Sequence, residues 1–159
     1  NDSLTSLPNR RSFNKNFEKS LNMFKRKKSN KSIIFFDIDN FKKINDTHGH
    51  LVGDKVLIRV SQILRKDVRK TDDISRWGGE EFAILLNDIN LNDVKTYTLK
   101  LKNSIEEDEL LKHYTNDCVT ASFGITFFQK NDTIDSIVKR VDDALYEAKN
   151  NGKNQVKIR

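Results

Sequence analysis

The sequence predicts an α+β sandwich, a central mixed five-stranded sheet flanked by helices. Three observations carry that reading. Apolar residues recur at helical spacing in four separate stretches. Between them lie segments rich in β-formers, and the two kinds alternate along the whole chain. At 159 residues the chain is long enough for one domain with one sizeable core.

The elements follow in order. Phe13, Phe17, Leu21 and Phe24 define one helix face, with Pro8 placed for its first turn. Lys31–Asp39 reads as a strand, because the unbroken run Ile33–Phe36 suits a sheet covered on both sides. Val56, Leu57, Val60, Ile63 and Leu64 mark a second helix. From Ile74 to Leu86, strand character flanks Gly78-Gly79, a hairpin whose glycines would take the positive φ of a tight turn. Val94, Tyr97, Leu101 and Ile105 mark a third helix. Cys118–Phe128 is β-rich, with Gly124 a candidate bulge. Ile134, Ile137, Val138, Val141 and Leu145 mark a last helix, closed near Gly152, and Gln155–Ile158 forms a short final strand. No repeat or linker divides the chain. Residues 1–159 read as a single domain, one expected to be cut from a longer signalling protein.

Composition narrows the partners. Lys and Arg number 29 against 23 Asp and Glu, a net charge of +6. That balance suits a phosphorylated small molecule, an anionic lipid or nucleic acid. Lys25-Arg26-Lys27-Lys28 follows a helical stripe without interleaved aromatics, so it reads as a solvated helix end, and nucleic acid is not an expected partner. No apolar run could span a bilayer, and a lone Cys118 excludes an intrachain disulfide framework. The expected location is the cytoplasm, as a free protein or as the cytoplasmic part of a membrane-bound sensor.

Four clusters could carry chemistry. Phe35-Phe36-Asp37-Ile38-Asp39 is a hydrophobic strand ending in two carboxylates, at the edge where sheets of this kind bind ligands. Carboxylates on a rigid strand suit Mg²⁺, which is held by one or two of them together with phosphate oxygens. Asp37 is the candidate; Asp39 reads as the N-cap of the turn that follows. Gly78-Gly79-Glu80-Glu81 sets two acids side by side, which repel unless a cation is near, while glycine lets a bulky ligand approach the backbone. In Asn40–Asp54, Asn45 and Asp54 suit the edge of a guanine base, and a turn opening at Asn40-Phe41 could hold phosphate on its N–H groups. His48 and His50 read as loop-packing residues rather than a metal pair. Lys149 and Lys153 could reach a polyphosphate or complement a helix end.

Together the strings DSLTSLPNRR, FFDIDNFKKINDTHGHLVGD, RWGGEEF, SFGIT and DDALYEAKNNGKN resemble the successive motifs of the GGDEF domain, the diguanylate cyclase family. The resemblance implies a nucleotide-cyclase or polymerase-palm-like sheet. It also implies condensation of two GTP into cyclic di-GMP and two pyrophosphates across a head-to-tail homodimer. The implied cofactor is Mg²⁺, two per GTP site, with Mn²⁺ as a substitute. By motif, Asp37, the Ile38 carbonyl and Glu80 are the metal ligands. Phe41 and Lys42 sit at the β- and γ-phosphates, and Asn45 and Asp54 read guanine. Glu80, Glu81, Lys149 and Lys153 are catalytic, and which glutamate deprotonates the attacking 3′-hydroxyl stays open.

Arg69-Lys70-Thr71-Asp72 matches the family's RxxD product-inhibition site, making Arg69 and Asp72 the allosteric residues. Further implied partners are cyclic di-GMP as product and inhibitor, and an upstream sensor or receiver domain. Two positions depart from the pattern: Ser6 stands where Gly is frequent, and Lys153 where Arg is common. The alternative function is a catalytically weak or inactive sensor that binds GTP or cyclic di-GMP.

Overall fold

The computed structural model describes residues 1–27 and 29–159. Lys28, the end of the basic run, lies outside the described residues. The chain runs α1 (Arg10–Lys27), β1 (Lys31–Ile38), α2 (Phe41–His48), α3 (His50–Asp67), β2 (Asp73–Arg76), β3 (Glu81–Asn87), α4 (Leu91–Glu106), α5 (Glu109–Thr115), β4 (Ala121–Phe127), α6 (Ile134–Asn150) and β5 (Val156–Ile158). One sheet has the strand order β2-β3-β1-β4-β5. Its pairs are antiparallel except β4 with β5. The mixed five-stranded sheet is therefore as the sequence predicts.

β1 occupies the centre and every one of its residues is buried, as a sheet covered on both sides requires. The strand period of two divides its side chains. Ile34, Phe36 and Ile38 pack with Val60, Leu64, Leu101 and Leu111 beneath α3, α4 and α5. Ile33 and Phe35 pack with Phe13, Phe17, Val141 and Leu145 beneath α1 and α6. The single expected core is thus two half-cores with the sheet between them. Across the first of these faces Phe36 stacks between Phe82 and Phe123, with ring centroids 5.0 and 4.7 Å away.

Local expectations need three corrections. Gly124 is not a bulge: it pairs in register with Phe35. A Cβ there would meet Leu145 N at 2.4 Å and Val141 O at 2.7 Å, so glycine is what lets α6 lie directly on the sheet. Gly78 and Gly79 do join β2 to β3, yet the glycines with positive φ are Gly49 and Gly152. Pro8 precedes α1 instead of starting it, its carbonyl accepting from Arg76 N–H at 3.2 Å. Asn9 caps the helix, accepting from Ser12 N–H at 2.9 Å. At the other departure point, Ser6 has a φ of 61°, the left-handed conformation that glycine adopts without strain. Two short helices, α2 and α5, have no counterpart in the sequence reading.

Candidate functional site

The C-terminal end of β1 brings the predicted acids together. Asp37 pairs across the ladder with Glu81, and Ile38 N–H donates to the Glu80 carbonyl at 3.3 Å. Sheet pairing thus holds both glutamates beside Asp37. From the α6 side, Lys149 Nζ donates to Asp37 Oδ2. Asp37 is only 6% exposed. Its other oxygen, Oδ1, is buried and finds no hydrogen-bond partner among the described residues. Burial pushes the Asp37 carboxyl up to about 6; Lys149 opposes that rise, and Glu81 and Glu80 add to it. Glu81 is raised as well, by burial first and then by Asp142, with Lys149 opposing.

Asp39 does not cap α2. Its carboxylate accepts from Ser122 Oγ at 2.6 Å, Thr120 Oγ1 at 2.7 Å and Asn154 N–H at 3.0 Å, clamping β4 and the turn before β5 to the end of β1. The α2 N-cap is Asn40, in the left-handed region with φ 55° and no side-chain cap bond. Lys153, itself at φ 61°, donates Nζ to Asn40 Oδ1 at 2.7 Å. The turn after α6 is in this way fastened to the entry of α2. Between them opens a cleft of about 470 Å³ whose lining includes Lys42, Lys43, Lys149 and Lys153 and the acids Asp39, Asp46 and Glu80. The free N–H groups of the first α2 turn and four lysines make it a place for anionic oxygens.

Asn45 and Asp54 lie on the packed pair α2 and α3, and neither lines the cleft. A Cβ on Gly53 would sit 1.8 Å from Asn45 Oδ1, so the Asn45 carboxamide rests directly on the α3 backbone. That oxygen too is buried with no partner among the described residues. Arg69 and Asp72 are elsewhere. They precede β2 and so sit at the opposite end of the hairpin from Gly78-Gly79. They form a bidentate ion pair with distances of 2.7 and 2.9 Å.

One residue escaped the sequence reading. Asp142 on α6 is exposed at its surface; partial desolvation, Asp143 and Asp37 raise its carboxyl, and Arg10 opposes them. Arg10 stacks over Trp77 at 4.1 Å. The signal was available: Asp142 precedes Lys149 by seven positions, two helical turns, and so shares its face.

The fold and this edge define a class: an α+β sheet domain whose central strand ends in carboxylates beside a lysine-rich, phosphate-sized cleft. The family model described as "Diguanylate cyclase, GGDEF domain" matches residues 1–155, and the chain belongs to that family. Over 140 residues it is 38% identical to diguanylate cyclase A of Treponema denticola, covering 87% of this chain and 38% of that protein. It superposes on the GGDEF domain of DgcB from Caulobacter crescentus, solved in complex with c-di-GMP, with a TM-score of 0.92. Identity there is 29%, with 99% of this chain and 91% of that one covered. The active GGEEF domain of a Vibrio cholerae diguanylate cyclase gives a TM-score of 0.89 and 32% identity, covering 96% and 97% of the two chains. The chain spans 23–38% of the length of the first curated relatives it matches.

Cyclases of this family depend on divalent metal ions, and the donors present fit one. Asp37 Oδ1 is a buried acceptor without a protein donor, and Glu80 and the Ile38 carbonyl lie beside it. No group of three or more His, Cys, Asp or Glu is arranged for a metal among the described residues. Such a sparse oxygen set suits Mg²⁺, which keeps waters and substrate phosphates in its shell. No described helix is long and apolar enough to cross a membrane.

Proposed function

We propose that this domain is a diguanylate cyclase that joins two GTP into cyclic di-GMP. Each 3′-oxygen attacks the α-phosphate of the other nucleotide, and a pyrophosphate leaves from each. Two copies meet head to tail, each holding one GTP, and the product inhibits by binding at Arg69 and Asp72. The chain acts as the catalytic part of a longer cytoplasmic signalling protein that carries an upstream sensor or receiver domain.

The buried Asp37 Oδ1, unpaired among the described residues and next in the chain to Ile38, which lines the lysine-rich cleft, carries this reading, because a carboxylate oxygen kept from water asks for a cation. Asp37, Glu80 and the Ile38 carbonyl would hold Mg²⁺, with Mn²⁺ as a substitute. The metal would neutralise the leaving pyrophosphate and lower the pKa of the attacking hydroxyl. Lys42 and the amides of the first α2 turn orient the β- and γ-phosphates, and Lys149 and Lys153 add charge to them. Asn45 and Asp54 accept from and donate to the guanine edge; the carboxylate suits the N1–H and exocyclic amine that adenine lacks. Glu81, paired with Asp37 across the ladder and next in the chain to Glu80, which lines the cleft, can take the hydroxyl proton.

The test is incubation with GTP and Mg²⁺ over a series of protein concentrations, with nucleotides separated by chromatography. Cyclic di-GMP formed at a rate steeper than linear in protein is the expected result. Intact GTP binding without product at any concentration would make the domain a sensor instead.

A further inference from the structure

The turn from Arg69 to Asp72 is closed by Asp72 N–H, which donates to the Arg69 carbonyl at 3.0 Å. Asn87, the last residue of β3, grips this turn at three points. Its N–H donates to Asp72 Oδ1 at 2.9 Å, and its carbonyl accepts from Arg69 Nη2 at 2.7 Å. Its Nδ2 donates to the Thr71 carbonyl at 2.9 Å. The first two grips are made by backbone, but the third needs this side chain. The side-chain oxygen, Oδ1, is held in turn: it accepts from Lys31 Nζ at 2.7 Å and from Ser20 Oγ at 3.1 Å.

Lys31 opens β1 directly opposite Asn87 in the ladder and is only 4% exposed. A buried ammonium is better served by a carboxylate than by an amide oxygen, so aspartate at position 87 would suit Lys31 more. Yet a carboxylate cannot donate, and the Thr71 carbonyl can only accept. Position 87 needs a side chain that accepts from Lys31 and donates to Thr71 at once, and asparagine does both. The turn is thereby tied to a buried cation at the start of the central strand. Arg69, with its side chain 41% exposed, commits Nε and Nη2 to Asp72 and Asn87 and keeps Nη1 for a ligand. Ordering that is completed on folding need not be repeated on binding. On the reading of Arg69 and Asp72 as an inhibitory site, we propose that Asn87 is its positioning residue, anchoring the turn to Lys31 so that the pair is preformed for a guanine nucleotide.

Calorimetric titration of cyclic di-GMP into the 159-residue chain compares wild type with Asn87→Asp, Lys31→Met and Arg69→Ala. Asn87→Asp keeps an acceptor for Lys31 and Ser20 and loses only the hold on Thr71. Its affinity should fall on the order of ten-fold, because a donor is lost and a carboxylate is left facing a carbonyl. Its melting temperature should hold or rise, because Lys31 gains a carboxylate. The loss relative to wild type should persist at about 1 M salt, where the charge of the new carboxylate is screened. Lys31→Met frees Asn87 Oδ1 and should weaken binding by a smaller factor. A loss in Asn87→Asp that disappears at high salt is charge repulsion alone and overturns the proposal. A lowered melting temperature with the affinity of the folded fraction intact is a packing role and overturns it too. Wild-type affinity in Asn87→Asp or Lys31→Met, with binding lost in Arg69→Ala, rejects the anchor and leaves the inhibitory site standing. Wild-type affinity in Arg69→Ala removes the site itself, and the proposal with it.

Discussion

Lys149 and Asp37, 112 residues apart in sequence, meet as an ion pair that satisfies one carboxylate oxygen and leaves the other buried and bare among the described residues. Half of a buried carboxylate is thus committed to the fold, and half stands ready for a ligand. Folding alone therefore leaves this carboxylate in an unfavourable state, and stability should respond to its charge.

In metal-free buffer, Asp37→Asn should stabilise the fold at pH 7. A carboxyl raised from 3.8 to about 6 favours the native state when protonated, and that contribution is lost as pH rises between those values. The gain should be about 1–3 kcal/mol at neutral pH, reduced by the lost pairing with Lys149, and should vanish near pH 4. Thermal melts against pH check it. Cyclic di-GMP formation by the same variant should be abolished.

Gly53→Ala separates recognition from stability. The new methyl strikes the far end of the Asn45 side chain, which can swing away, and alanine is the better helix former by about 1 kcal/mol. The melting temperature should hold or rise. The KM for GTP should increase about ten-fold, because the Asn45 carboxamide leaves its seat on α3 and a hydrogen bond to the base goes with it.

Gly124→Ala should do the reverse, damaging the fold first. Its Cβ would meet backbone atoms of α6, which cannot rotate aside. A loss of about 3 kcal/mol or more in denaturant unfolding is expected. Activity should fall further than the folded fraction does, since α6 also carries Lys149.

Asp132 and Arg140 test a structural ion pair far from the chemistry. Arg140 donates to both Asp132 oxygens at 2.8 and 3.0 Å, and to Thr126 Oγ1 and the Phe127 carbonyl. Burial alone would raise the Asp132 carboxyl, but hydrogen bonds from Arg140, Gln129 N–H and Ser136 bring it below its ordinary value. A lowered folded pKa means stability present above 3.8 and lost as pH falls through the lower value. Asp132→Asn should therefore cost about 3 kcal/mol at pH 7 and progressively less as pH falls below 3.8, read by chemical denaturation.

Much of the molecule is legible in the sequence wherever burial is one-sided or complete. The run Ile33–Phe36, the α3 stripe from Val56 to Leu64 and the α6 stripe from Ile137 to Leu145 all sit as read. α2 escaped because it is eight residues long and offers only Phe41 and Ile44, both partly buried, as an apolar face. α5 escaped because seven residues are too few for a pattern. Gly124 was misread because a close helix crossing and a bulge both call for a missing side chain, and only the partner element tells them apart. Asp39 looked like a cap because its hydroxyl donors, Thr120 and Ser122, lie more than 80 positions away. Asp37, Glu80, Glu81, Lys149 and Lys153 do converge as the motifs suggested, whereas the use of Asp142 depends on how α6 is rotated on the sheet.

The clamp of Lys153 on Asn40 spans 113 residues, as that of Lys149 on Asp37 spans 112. Synthesis runs from N- to C-terminus, so the acids leave the ribosome long before the cations that oppose them. A growing chain that has already made Asp37, Glu80 and Glu81 still lacks Lys149 and Lys153, and contacts this distant in sequence are slow to form. The site is in this way completed only in chains whose last helix has docked and brought Lys149 to Asp37.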